Sequence, residues 1–253
     1  MTLAKVVSNP FDRFEKANTP AKPRIVASSY GEVGTLKTSF WLGAPGPILV
    51  QTLDQGLEGV IEPYMNLKDI YVADYDLGRN PGEEYNHERA IEARDKFVED
   101  FEHTIAHTKA RTIFWDRESD MFSLFSYAEF GTPDKYNAAT PKDWDKLKGG
   151  IRRLIAMAKA SDINFGIIQG MRDEWSKGKM GKTGNRIRNG MDEIDALVHI
   201  NIEHAIERGE FVMKIGKARG PGGREIQNQT LPAMTFVDFA SLVFPDSSEQ
   251  DWI

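Results

Sequence analysis

Tyr30–Phe40 reads YGEVGTLKTSF. Gly31, Lys37 and Thr38 stand in the register G-x-x-x-x-G-K-[ST]. In a loop of that spacing, backbone N–H groups and the N-terminus of the following helix cradle phosphate oxygens. The lysine neutralises β/γ-phosphate charge, and the hydroxyl after it ligates Mg²⁺. The second glycine of the pattern is missing: Leu36 takes its place, and Gly34 lies two positions earlier. A leucine is expected to follow this backbone only where φ is negative. The bland alternative is a Gly-rich turn that caps a helix. The flanks favour phosphate, because Arg24–Ser28 (RIVAS) reads as a strand and a helix begins at Thr38. Ligands of parallel α/β sheets lie beyond the C-terminal ends of such strands. The candidate nucleotide-binding residues are therefore Gly31, Glu32, Val33, Gly34, Thr35, Leu36, Lys37, Thr38 and Ser39.

Outward from this loop, apolar runs alternate with helical patterns. Ile48–Thr52, Ile70–Ala73, Thr112–Trp115 and Phe165–Ile168 predict strands. Gln55–Tyr64 predicts a short helix. Asn86–Lys109 predicts a long one, with Ile91, Phe97, Val98, Phe101 and Ile105 at mostly helical spacing. Thr140-Pro141 opens another, an N-cap followed by a first-turn proline. Ala196–Ile202 and Phe211–Ile215 predict an antiparallel pair around Glu207–Glu210. Runs too apolar for a half-exposed sheet indicate an α/β class with a mainly parallel central sheet. Residues 1–23 read as an extension and linker, a candidate oligomerisation segment, 24–245 as the core, and 246–253 as an acidic tail. That tail is expected to be an untethered terminus or a partner-binding end.

The 253 residues carry a net charge of −6 and no cysteine, which excludes a disulfide scaffold, a thiolate nucleophile and Cys-based metal sites. No apolar stretch approaches a membrane span, so the expected location is the cytoplasm.

Further candidates come from strand ends. Arg111–Asp116 (RTIFWD) is an apolar strand closing on Asp116, which would hold the Mg²⁺ shell opposite Thr38. Asp54 follows the strand ILVQT and could polarise an attacking water, with Glu58 as its rival. Gln169 closes FGIIQ and could sense a γ-phosphate. Arg172–Gly190 (RDEWSKGKMGKTGNRIRNG) holds six Lys/Arg against two acids, with no hydrophobic period, and is expected to be mobile. Arg172, Lys177, Lys179, Lys182, Arg186 and Arg188 could neutralise nucleic-acid phosphates, and Trp175 could stack on a base. A solvated linker is the alternative. Ser119–Thr140, with Phe122, Phe125, Tyr127 and Phe130, is a candidate second loop on the same face, although aromatics in a row are more often core. Glu118 and Asp120 are expected to face that loop. His103 and His107 have metal-compatible spacing but no third ligand nearby, and read as helix surface.

This order of parts resembles the RecA-like P-loop NTPase core, and among such proteins the small phage-encoded RecA-like ATPases (AAA-domain, Sak-type) that assist single-strand annealing and recombination. The resemblance covers roughly residues 24–245. It implies ATP and Mg²⁺ as cofactors and single-stranded DNA as partner. A homo-oligomer, ring or filament, is also implied, and a single-strand-binding protein is a further candidate partner. It places Asp54 where the family has its catalytic glutamate, and the basic segment in the DNA channel. Lys217 and Arg219, in VMKIGKAR, match a basic-x-basic pair that reaches a neighbouring subunit's nucleotide. The function implied is DNA-stimulated ATP hydrolysis in phage recombination or replication. A scaffold or loader with little turnover, or a helicase motor of the same superfamily, are the alternatives.

Overall fold

A computed structural model describes residues 22–53, 56–75, 86–107, 109–131, 138–175 and 181–252. Asp54, Lys177 and Lys179 lie outside them, as does most of the N-terminal extension.

The described strands form an eight-stranded sheet and a separate two-stranded one. At the centre of the large sheet β1 (Val26–Gly31) lies between β5 (Asn164–Gln169) and β8 (Ile200–Glu207), parallel to both. Beyond β5 come β4 (Thr112–Asp116), β2 (Ile48–Thr52) and β3 (Ile70–Asp74), all parallel. On the other side β9 (Glu210–Ala218) returns antiparallel to β8 and carries the short edge strand β10 (Thr230–Pro232). The expected mainly parallel α/β sheet with a C-terminal antiparallel hairpin is present.

Alternation along the strands divides the core in two. Val26, Ile113, Trp115, Phe165 and Ile167 meet α3 (His87–His107), α4 (Glu118–Phe130) and α5 (Pro141–Ala160) on one face. Ile25, Ala27, Phe114, Ile168 and Ile202 meet α1 (Lys37–Leu42) and α8 (Phe236–Val243) on the other. Such two-faced burial is what parallel strands require. Trp41 reaches the sheet because Gly166 has no side chain; a Cβ there would lie 2.5 Å from the indole. The cap expected at Thr140 forms, with Thr140 N donating to Asp143 Oδ2 at 2.8 Å.

Several expectations need correction. Ser119–Thr140 is not an open loop, since α4 occupies Glu118–Phe130 and buries Phe125 and Tyr127 in the core. The predicted helix Gln55–Tyr64 is turn over the described residues 56–60, with the helical stretch α2 at Glu62–Met65. Ala196–Ile202 opens in a helical turn, α6 (Ile194–Leu197), before β8 begins at Ile200. The acidic tail is packed rather than untethered. Its 3₁₀ turn at Glu249–Trp252 buries Trp252 against Phe236 and Phe244, and Trp252 Nε1 donates to Ser247 Oγ at 2.8 Å. Among the described residues no helix is long and apolar enough to cross a membrane.

Candidate functional site

The candidate phosphate loop joins β1 to α1. Gly31 sits beside β8, and a Cβ at this position would run into the carbonyl of His204, so only glycine fits the close approach. Leu36 then adopts φ 67°, ψ 16°, the left-handed region. The expected negative φ is thus wrong. The loop needs a left-handed residue before the helix, and leucine supplies it at a cost of roughly 1–2 kcal/mol. The side chain is 42% exposed, so little burial offsets that strain. Leu36→Gly is therefore expected to stabilise the fold by roughly 0.5–1 kcal/mol in urea denaturation, once the flexibility glycine adds to the unfolded chain is subtracted. A lower midpoint would show that leucine's packing outweighs its strain.

Lys37 Nζ donates to the carbonyls of Gly31 at 3.0 Å and Glu32 at 2.6 Å, and to Thr35 Oγ1 at 3.3 Å. Burial holds its pKa below the ordinary lysine value. Thr38 Oγ1, in the first turn of α1 after β1, donates to Asp116 Oδ2 at the end of β4 at 2.7 Å, although β5 lies between β1 and β4. These hard oxygen donors suit Mg²⁺, which keeps several waters and takes few protein ligands. Together they floor a cavity of about 540 Å³. Residues that follow β4 (Arg117, Ser119, Asp120) and residues at the base of the basic segment (Gly170, Met171, Arg186, Asn189) also line it. A second cavity of about 470 Å³ shares Leu36 and Ser39 with it and is lined by Phe40, Tyr64, Met213 and Met234. Glu58 is exposed and outside both linings, while Gly56 and Val60 reach the first.

Gln169 does not line either cavity. It is wholly buried, and its Nε2 donates to Glu118 Oε2 at 2.7 Å and to the carbonyl of Asn189 at 3.3 Å. Met191 N donates to Glu118 Oε1 at 3.1 Å. Glu118 is therefore inside the protein rather than facing a loop, and burial pushes its carboxyl up to about 7. The junction links the tips of β4 and β5 to the chain leaving the basic segment. No sequence signal marked it, because helix α4, which opens on Glu118, is buried on several sides and shows no apolar stripe.

The basic segment is a hairpin of β6 (Met171–Trp175) and β7 (Lys182–Arg188), not a featureless loop. Polar cross-strand pairs hold it. Thr183 Oγ1 and Asn185 Nδ2 donate to Glu174 Oε2 at 2.8 and 3.0 Å, and Lys182 and Arg186 pair with Asp173. Arg172, Lys182 and Trp175 are exposed. Arg188 turns inward, its guanidinium 3.6 Å from the centre of the Tyr30 ring and paired with Asp195. Arg186 faces the phosphate loop.

Lys217 and Arg219 lie at the opposite end of the sheet. Lys217 pairs in register with Asn201, itself beside Ser28, and Arg219 N donates to the carbonyl of His199. Lys217 Nζ donates to the carbonyls of Val198 at 2.6 Å and Asp195 at 2.8 Å, whereas Arg219 is exposed. Neither reaches its own phosphate loop. From the level of Arg219, beside His199 and Val26, Gly31 lies five residues along β1, about 16 Å at strand rise. From Lys217, level with Ser28, it lies three residues or about 10 Å away, with the Lys217 ammonium turned to carbonyls at the other end. The rings of His103 and His107 lie 4.8 Å apart and tilted on α3, and no metal-binding group of three or more acids and histidines exists among the described residues.

Comparison with known proteins adds little at the level of sequence. No family model matches the chain. No curated protein matches it either. Among solved structures, the RadB recombinase is similar with a TM-score of 0.47 and 10% identity, over 83% of this chain and 86% of that one. A type III secretion system ATPase of pathogenic bacteria is similar with a TM-score of 0.45 and 13% identity, over 74% of this chain and 53% of that one. Likenesses so distant establish nothing about activity. The strand order is that of a mainly parallel α/β sheet with an antiparallel hairpin at one edge, and the candidate phosphate loop leaves the end of its central strand β1.

Proposed function

We propose that this chain is a RecA-like ATPase that binds Mg·ATP at the phosphate loop and single-stranded DNA through the β6–β7 hairpin, as a homo-oligomer. The Thr38–Asp116 pair, formed beside Lys37 across an intervening strand, is the observation that carries the reading. A first-turn helix residue and a strand-end residue from non-adjacent strands meet at the floor of the cavity, where both oxygens face the same space.

Lys37 exchanges its carbonyl partners for phosphate oxygens, and the N–H groups at the start of α1 face the same anion. Thr38 and Asp116 would hold a Mg²⁺ ion, which would supply positive charge to the bound phosphates. The second cavity, apolar and contiguous with the first, takes the base. Asp54 is the proposed water-orienting carboxylate, and Gln169 the residue whose hydrogen bonds change with the terminal phosphate. Arg172, Trp175 and Lys182, with Lys177 and Lys179 between the strands, are the proposed DNA-binding residues. Lys217 and Arg219 are the proposed trans-acting cations. Recombination or replication in a phage-infected cell is the proposed setting. A scaffold with little turnover is the second reading, favoured by leucine in place of the loop's second glycine.

Substituting Arg172, Lys177, Lys179 and Lys182 by Ser tests the hairpin. Each DNA phosphate that is no longer neutralised flattens the slope of log K against log salt by about 0.7 for single strands. Removing these four cations is expected to reduce the slope by nearly 3, with ATP binding retained. An unchanged slope would assign the hairpin to solvent. ATP turnover with and without single-stranded DNA separates the enzyme from the scaffold: DNA stimulation supports the first, tight binding without turnover the second.

A further inference from the structure

Arg186 stands apart from the other cations of the hairpin. Its guanidinium forks onto Glu32, with Nε 2.8 Å from Oε1 and Nη2 2.9 Å from Oε2. Nη1 lies 2.9 Å from Asp173 Oδ1, and Nη2 also donates to the carbonyl of Met171 at 3.2 Å. Glu32 is the first residue of the phosphate loop after Gly31, and its carbonyl is held by Lys37 Nζ. The lysine reaches β/γ oxygens in such loops, so the terminal phosphate borders Glu32 and the guanidinium attached to it. Arg186 lines the cavity directly.

Charge and shape both bear on what happens there. A triphosphate brings negative charge beside the Glu32 carboxylate, which is repelled, and beside Arg186, which is attracted. A guanidinium binds phosphate with the same two-pronged geometry it uses on a carboxylate, so the exchange keeps the number of hydrogen bonds the same. The backbone that presents Arg186 is held in place meanwhile. Two residues on, Arg188 is fixed against Tyr30, the residue before Gly31, and paired with Asp195.

We propose that Arg186 is a nucleotide-binding residue of its own subunit, which touches the terminal phosphate and is held ready at the cavity rim by Glu32 until a triphosphate arrives. This rests on the reading of the loop as an ATP site and adds a phosphate ligand supplied in cis by the hairpin, where the sequence placed a DNA-binding residue.

The test is calorimetric affinity for ATP and for ADP, each with Mg²⁺, in the full chain and in Arg186→Ala, Arg186→Lys and Glu32→Gln. The ATP-to-ADP preference is expected to fall on the order of tenfold in Arg186→Ala, the range of one charge-assisted hydrogen-bond pair, with ADP affinity nearly unchanged. Arg186→Lys should restore only part, because an ammonium cannot fork. Glu32→Gln should tighten ATP several-fold by releasing the guanidinium. An Arg186→Ala chain that keeps its ATP-to-ADP preference, while the unaltered chain binds ATP, overturns the inference and leaves the ATP site standing. Loss of single-stranded DNA affinity alone would do the same, and return Arg186 to the DNA face. If the unaltered chain binds neither nucleotide, the ATP site itself is refuted, and this role of Arg186 with it.

Discussion

Lys37→Ala is expected to weaken ATP binding by at least about a hundredfold, measured by calorimetry with Mg²⁺. Lys37 is the cation the structure places within the loop, donating to the carbonyls of Gly31 and Glu32 around the space a phosphate would fill. Burial lowers its pKa, and the Asp116 and Glu32 carboxylates compensate for the loss of solvent only in part. A polyphosphate supplies that compensation, and each charged hydrogen bond so formed is worth roughly 1.5–3 kcal/mol. Two or three such bonds correspond to a hundredfold or more in affinity. The variant also loses the ties that hold the empty loop, so a thermal melt should accompany it. Near-native melting with unchanged ATP affinity would remove the phosphate-loop assignment.

The second large effect concerns the far end of the sheet. Lys217→Ala/Arg219→Ala is expected to bind ATP normally and lose DNA-stimulated turnover by about 10³-fold, the scale of cations supplied in trans. The structure divides the two roles. Lys217 directs its ammonium to the carbonyls of Asp195, Ala196 and Val198 and so shapes the turn around α6. Arg219 is the exposed member, and Arg219→Ala alone should carry most of the loss. Mixing the double variant with Lys37→Ala should recover part of the activity, since each subunit type retains what the other lacks. Confirmed mixed assembly without recovery would show that the pair serves its own subunit.

What was legible in the sequence follows from where stability comes. The parallel strands announce themselves because both faces are buried, so Ile48–Thr52 and Thr112–Asp116 read as largely apolar runs. Helix α5 was legible from its capping pair and amphipathic stripe. Helix α4 was not. It packs on several sides, so no stripe shows, and its serines bond backward along the helix, with Ser123 Oγ donating to Ser119 O at 2.9 Å and Ser126 Oγ to Phe122 O at 2.7 Å. The hairpin was hidden for another reason: ion pairs and amide–carboxylate bonds join its strands, and they leave no hydrophobic period. In the candidate site, loop spacing pointed to Lys37 and Thr38 and a strand end to Asp116, and the structure brings Thr38 and Asp116 into contact. Spacing could not show that Leu36 would accept a left-handed backbone, that Glu118 would turn inward onto Gln169, or that Arg186 would meet Glu32. The last two depend on pairs of residues 51 and 154 positions apart.

Titration of the unaltered chain with ATP, in the presence and absence of Mg²⁺, tests the central claim most directly. Saturable binding of one ATP per chain at micromolar concentrations, weakened when Mg²⁺ is removed, is the predicted result. No binding up to millimolar ATP under either condition would contradict the account, and would leave Tyr30–Phe40 as a turn that caps a helix.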